Sequence, residues 1–327
     1  MKDIKLISRL NKEWRPGKIK VKKAGGQTNR NWIVQYKNKK FFVRFPWERI
    51  DIVNREVEAK NILALARSKK LIGILPKYYF YIFKRKNILS PKLKRIFDLP
   101  NGTMAMEYTE GKDVDGKDLD RPKNQEALLK TLYTFHSSGV KFVNEYDVFR
   151  DEVFKYKTIA KKYLIAKLIP VEKIRKIEEI EETMKENLIL GKGVSTHNDL
   201  IFENLRLGKD GKIYLLDFEY AGFNIRDGLH YDLGIILGGN LFQKNPIKIK
   251  TFEEILKKAK KIYKKDLDDY KIYCGALTNI LVMFWWGLVK YFSLTKREEK
   301  RYFQKYVLDR AKGIEFLYKI ISKNNEG

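Results

Sequence analysis

Apolar and polar residues alternate over residues 17–23, with Ile19 and Val21 on one face, which predicts a strand. Asn31–Tyr36 and Phe41–Phe45 are rich in β-branched and aromatic residues, and Lys37-Asn38-Lys39-Lys40 separates them. That pattern predicts a hairpin with a four-residue loop. From Asp51 to Ser68 the spacing becomes helical, with Val53, Val57, Ile62 and Leu65 on one stripe. Tyr78–Phe83 and Thr103–Tyr108 read as two more strands, and the basic, Pro-containing stretch 84–100 between them reads as a surface excursion. Beyond Gly111 the period is mostly helical: 125–138, 151–168, 171–190 (opened by Pro170), 229–242, 251–264, 270–294 and 296–322. One β-rich island interrupts at 194–218. No internal repeat is visible. The pattern predicts an α+β chain: a small β-rich lobe over 1–107 and a larger helical lobe over 108–327.

With 44% hydrophobic and 33% charged residues, the 327-residue chain can bury a sizeable core, which excludes global disorder. Its 68 Lys and Arg outnumber 41 Asp and Glu, a net charge of +27. That excess invites an anionic partner: nucleic acid, a phospholipid surface or a phosphorylated small molecule. A Lys-rich bias spread over a solvated surface accounts for it equally. Cys274 is the single cysteine, so a disulfide framework and a Cys-rich zinc site within one chain are excluded. The most apolar run, Ile280–Val289, is about half the length a membrane span needs. Charges interrupt the first apolar stretch, unlike a secretory signal, so a cytoplasmic protein without stable membrane insertion is expected.

The island carries the chemistry. Asp199 is followed five residues later by Asn204, and Asp217 stands at the end of the apolar strand Ile213–Leu216. This is the D-x-x-x-x-N spacing of a kinase catalytic loop, and Asp217-Phe218-Glu219 stands where kinases place D-F-G. Phosphoryl transfer needs an acceptor hydroxyl oriented and polarised, which a carboxylate such as Asp199 can do. It also needs Mg²⁺ across the phosphates, and an amide oxygen (Asn204) with a carboxylate (Asp217) suits that hard ion. Upstream, Gly25-Gly26-Gln27-Thr28-Asn29 lies between two strands, where Gly26, Thr28 and Asn29 could fold over phosphates. Arg44 lies on the third strand, where kinases carry the phosphate-pairing Lys, and Glu58 on the next helix, where its partner would be. His197 reads as a loop-stabilising residue, and His136 as structural.

These stretches resemble the choline/ethanolamine kinase family, within the aminoglycoside-phosphotransferase-like kinases. The matching segments are GGQTNRNWIV (25–34), FFVRFP (41–46), VNREVE (53–58), THNDLIFENLRL (196–207), LLDFEYAGFNIRD (215–227), YDLG (231–234) and FWWGLVKY (284–291), in family order. The resemblance implies a protein-kinase-like two-lobe fold, with an antiparallel sheet and one helix in the small lobe. It implies Asp199 as catalytic base, Asn204 and Asp217 as Mg²⁺ ligands, and a hinge at Met104–Tyr108 that receives adenine, with Met106 and Tyr108 as ATP-binding residues. Asp232 would hold the catalytic loop in place.

The implied function is ATP-dependent phosphorylation of choline. A quaternary ammonium donates no hydrogen bond from nitrogen, so its site uses aromatic faces and nearby carboxylates. Tyr220 and Trp286 match family aromatics, Trp285 is a possible substitute, and Glu219 supplies a neighbouring carboxylate. Two positions depart: Val289 stands for a second tryptophan, and Gly238-Gly239 for an acidic residue. Ethanolamine, another amino alcohol, thiamine, a sugar or an aminoglycoside are the alternative acceptors. A degenerate kinase scaffold binding nucleic acid or membrane is the reading from a different class, motivated by the basic runs 84–95 and 257–265. Retention of Asp199, Asn204 and Asp217 argues against it. An acidic catalytic site and a cationic acceptor run against the overall charge, so no nucleic-acid partner is expected.

Overall fold

The computed structural model describes residues 2–25, 29–46, 53–89, 99–163, 165–264 and 267–325. Its first part is an antiparallel sheet of six strands, ordered β1-β2-β3-β6-β4-β5. The strands are β1 Ile19–Ala24, β2 Asn29–Tyr36, β3 Lys39–Pro46, β4 Tyr78–Phe83, β5 Lys86–Asn87 and β6 Met104–Glu107. Helix α1 (Lys2–Leu10) seats Ile7 and Leu10, with Trp14, against Val34, Phe41, Val43 and Phe45 of the sheet. Helix α2 (Arg55–Arg67) covers the sheet beside β4. The small lobe therefore carries α1 in addition to the one helix expected.

Two local expectations change. Tyr36 pairs with Lys39, so only Lys37 and Asn38 form the β2–β3 turn, not four residues. Phe41 and Val43 face inward, and that register draws Lys39 and Lys40 into the ladder. Lys37 takes the left-handed φ of 52° that such a tight turn needs. Likewise α2 starts at Arg55 rather than Asp51, because the Asn54 side chain accepts from the N–H groups of Glu56 and Val57 (3.1 and 3.2 Å).

The remainder is mainly helical: α3 Gly116–Leu119, α4 Pro122–His136, α5 Phe154–Ala160, α6 Val171–Asn187, α7 Gly228–Gly238, α8 Ile249–Tyr263, α9 Asp269–Ser293 and α10 Arg297–Asn325. Two small sheets sit among them. In one, β10 (Leu205–Gly208) lies between β11 (Ile213–Leu215) and β7 (Gly111–Asp113). In the other, β12 (Gly222–Arg226) lies between β8 (Glu145–Tyr146) and β9 (Leu190–Thr196). The expected helix over 151–168 is broken: a π-turn spans Phe149–Val153, α5 follows, and a 3₁₀ turn takes Ile165–Lys167. The α8 lysines point outward from buried Phe252, Ile255, Leu256, Ala259 and Tyr263, and Lys260 pairs with Asp269 (2.7 Å).

Helix α9 corrects the expectation that no apolar segment is long enough for a membrane. It is 25 residues long and holds an 18-residue apolar window of mean hydropathy 1.6, enough to cross one by length and composition. Here 83% of that apolar window is buried, and α7, α10, α5 and α6 pack around it. The α7–α9 crossing depends on glycine: a Cβ on Gly238 would stand 2.2 Å from the Ala276 carbonyl oxygen, and one on Gly234 would stand 2.5 Å from the Ile272 carbonyl oxygen.

Candidate active site

Asp199 lies in the loop after β9, between Asn198 and Leu200. Asp232 of α7 fixes that loop from beneath: its carboxylate accepts from the backbone N–H groups of His197 (2.9 Å) and Asn198 (2.8 Å). His136 Nε2 lies 2.9 Å from the same carboxylate. His197 packs on Phe218 with ring centroids 4.4 Å apart, and its Nε2 donates to the Leu216 carbonyl (2.7 Å). Burial holds the His197 pKa down, so this buried ring is a neutral tie between the loop and β11. Asn240, just beyond α7, accepts from the Phe202 N–H (2.6 Å) and donates to the Leu200 carbonyl (3.1 Å).

Asn204 ends a 3₁₀ turn ahead of β10, and its carbonyl accepts from the Leu216 N–H (2.9 Å). That bond brings Asn204 beside Asp217, the next residue. The Asn204 amide donates to the Asp199 carboxylate (2.8 Å) and carbonyl (2.9 Å), which leaves its Oδ1 to accept or ligate. Asn198 and Asp217 both hold left-handed backbone, φ 63° and 54°. Non-glycine residues in that region are uncommon and gather at functional sites.

Behind Asp217 lies a buried charge network. Arg44 donates to Asp217 (3.2 Å), to the Gly102 carbonyl (3.2 Å) and to Glu58. Arg55 donates to Glu58 (2.7 Å), as does the Tyr81 hydroxyl (2.6 Å). Burial works to lower the Arg44 pKa, but Glu58, Asp217 and Glu219 outweigh it and raise it. Glu219 lies 3.8 Å from Arg44 and 3.7 Å from Arg55, and Asn29 donates to it (3.4 Å). Burial, then Asp217, pushes the Glu219 carboxyl up to about 7.

Asp199, Asn204, Asp217, Glu219, Tyr220 and Trp286 line one cleft of about 600 Å³. Burial and the charges of Asp217, Glu152 and Glu219 raise the Asp199 pKa well above the carboxylate range. Asn204 Oδ1 and the Asp217 carboxylate offer two hard oxygens, the number Mg²⁺ commonly takes from a protein when phosphates supply the rest. Among the described residues no cluster of three or more metal-ligating side chains exists, so a self-contained metal cage is not the alternative.

Trp285 is not on this wall. Asn279, Val282, Met283 and Trp286 form the α9 face that lines the cleft. One residue earlier, Trp285 points about 100° away, is fully buried, and donates to Glu181 (3.0 Å). Met106 and Tyr108 also stand apart from the cleft lining: Met106 is buried in the sheet, and the Tyr108 hydroxyl accepts from Arg206 (2.8 Å). Gly26 and Thr28, and KLKR (92–95) of the basic excursion, lie outside the described residues.

Several lining residues escaped the sequence reading: Glu152, Tyr156, Phe242, Tyr302, Tyr306 and Arg310. Glu152 sits in the π-turn, 7% exposed, where the Tyr146 hydroxyl donates to it. Burial pushes its carboxyl up to about 7. The recurrence of Tyr302, Tyr306 and Arg310 every four residues was legible as a helical stripe. Only the packing of α10 along α9 turns it toward the cleft.

A sequence model of the choline/ethanolamine kinase family matches residues 22–312. No curated relative matches the chain in sequence. Among solved structures it is similar to choline kinase LicA from Streptococcus pneumoniae, at 21% identity and a TM-score of 0.67, covering 96% of this chain and 100% of that one. It is similar to an ethanolamine kinase of Plasmodium vivax at 18% identity and a TM-score of 0.64, covering 90% and 82%. It is also similar to a spectinomycin phosphotransferase, in complex with ADP and spectinomycin, at 14% identity and a TM-score of 0.60, covering 89% and 88%. The TM-scores differ little while the named proteins act on different acceptors, so the likeness establishes the protein-kinase-like fold and leaves the acceptor to the cleft.

Proposed function

The chain belongs to the choline/ethanolamine kinase family, and on that premise we propose that it transfers the γ-phosphoryl group of ATP to the hydroxyl of a small amino alcohol. The observation that carries this reading is the convergence of Asp199, Asn204 and Asp217 in one cleft, backed by the Arg44–Glu58 pair. Choline and ethanolamine are the first acceptors to test.

In this reading the acceptor hydroxyl lies against the Asp199 carboxylate. Asp199 accepts its proton as the oxygen bonds to the γ-phosphorus and the bond to the β,γ-bridging oxygen breaks, leaving ADP. Asn204, which donates to Asp199, keeps that carboxylate aimed. When bound, Mg²⁺ on Asn204 Oδ1 and Asp217 would neutralise charge on the phosphates. Arg44 adds a fixed positive charge that cannot be titrated away. Asn29, which donates to Glu219, would serve the phosphates. Tyr220 and Trp286 offer aromatic faces to a cationic nitrogen, with Glu152 as its carboxylate partner.

ADP release with Mg-ATP across choline, ethanolamine, thiamine, sugars and aminoglycosides tests this. Turnover of an amino alcohol is expected, with kcat reduced at least about 100-fold in Asp199→Asn and KM for ATP nearly unchanged. Absence of acceptor-dependent ADP release, or wild-type kcat in Asp199→Asn, would overturn it.

A further inference from the structure

The far wall of the cleft holds a cation of its own. Arg310 is 7% exposed, lines the cleft, and makes no ion pair among the described residues. Its guanidinium carbon lies 3.5 Å from the centroid of the Tyr306 ring, one helical turn back on α10, and 4.9 Å from the Phe242 ring. Both rings are seated by glycine. A Cβ on Gly313 would stand 2.2 Å from Phe242, and one on Gly287 would stand 2.8 Å from Tyr306. Arg310 is thus a built feature, not a surface side chain folded inward. Its Nε is buried without a hydrogen-bond partner.

Burying a guanidinium without a counter-ion is costly, and stacking on aromatic rings recovers only part of the cost. The neighbouring charges on α10 are Lys305 and Asp309, which also line the cleft. Burial outweighs the Asp309 charge and a hydrogen bond with the Tyr306 hydroxyl, which favour the guanidinium, and Asp309 forms no ion pair with it. A quaternary ammonium placed against Tyr306 would meet Arg310 as a like charge. An anion there would meet a rigid, bidentate donor. The carboxylates that attract an ammonium, Glu152 and Asp199, belong to other elements, the π-turn and the catalytic loop.

We propose that Arg310 is a specificity-determining residue, which recognises a carboxylate carried by the acceptor alcohol in addition to its amino group and its hydroxyl. The acceptor class is then a zwitterionic hydroxy amino acid rather than a simple amino alcohol. This rests on the phosphotransferase reading above and narrows it.

Matched pairs that differ by one carboxylate test it: L-serine against ethanolamine, and L-homoserine against 3-aminopropan-1-ol, each with Mg-ATP. At least one carboxylate member is expected to exceed its partner in kcat/KM by about tenfold or more. Arg310→Gln should abolish that preference by raising KM for the carboxylate member, with KM for ATP unchanged, while Arg310→Lys retains part of it. Calorimetric titration of the same amino acids and amines, with a non-hydrolysable ATP analogue present, reads binding without turnover. Turnover that ignores or disfavours the carboxylate, or an equal loss for both members in Arg310→Gln, overturns the role of Arg310 and leaves the kinase reading intact. Arg310-dependent carboxylate binding without any turnover keeps Arg310 and removes the kinase reading. Neither turnover nor a binding preference overturns both.

Discussion

Trp285 and Trp286 are adjacent in the chain and have unrelated surroundings, one fixed on Glu181 in the core and the other on the cleft wall. In a helix that is apolar on nearly every side, composition cannot say which of two neighbouring tryptophans faces a site. Asp199, Asn204 and Asp217 were legible because their spacing is set by one loop and one hairpin, both local. Glu152 was illegible because its chemistry comes from burial among residues distant in sequence. That burial has a signed consequence. The Glu152 carboxyl titrates near 4.5 when unfolded and is pushed up to about 7 when folded, chiefly by burial. Below both values the proton is bound in either state and nothing is lost. As pH rises through the window between them, the unfolded chain ionises more readily and stability falls, by up to about 3 kcal/mol. Glu152→Gln should therefore gain stability relative to wild type between pH 5 and pH 8 in urea titrations. For a cationic acceptor, wild-type KM should fall as pH rises through about 7 and become flatter in the variant. A constant stability difference across that range would remove Glu152 from this role.

At the scale of elements, contact between backbones explains a departure from the family pattern. The Gly238-Gly239 pair stands where an acidic residue was expected, and Gly238 approaches Ala276 too closely for any side chain. The acid is absent because α7 packs directly on α9 there. Asn240, the next residue, holds the catalytic loop instead. Gly238→Ala should lower stability by about 1–3 kcal/mol in denaturant titration. Gly191→Ala, whose new methyl meets nothing within 4 Å, serves as the control and should change little. Equal effects of the two would show that the helix crossing is not the constraint. The hairpin illustrates the same limit on sequence reading. Alternation located both strands, but the turn shortened from four residues to two because the buried face of β3 set the register.

For the whole molecule, the net charge of +27 and the acid-lined cleft have opposite signs. The lysines of α8 lie on its outward face, with Lys258 near Glu126 (3.7 Å) and Lys260 on Asp269, as a solvated surface requires. A uniformly positive surface repels itself, and salt relieves that repulsion. Raising NaCl from about 20 to 200 mM should therefore lift the melting temperature by a few degrees. An unchanged or falling value would mean that the charges are already locally paired.

The sequence by itself determined the main strands of the small lobe, the long helices of the large one, the family resemblance, and the catalytic-loop pattern of Asp199, Asn204 and Asp217. Each of these depends on periodicity or on short spacing along one segment. Only the tertiary structure decided which α9 tryptophan meets the cleft, that Glu152 and the α10 stripe belong to it, and that Arg310 sits buried there without an ion pair among the described residues. Those facts depend on how the π-turn, α5, α9 and α10 pack, which brings together residues as far apart as Glu152 and Arg310. Burial and the charge of distant neighbours then set the chemistry of these groups, and neither is written in a local pattern.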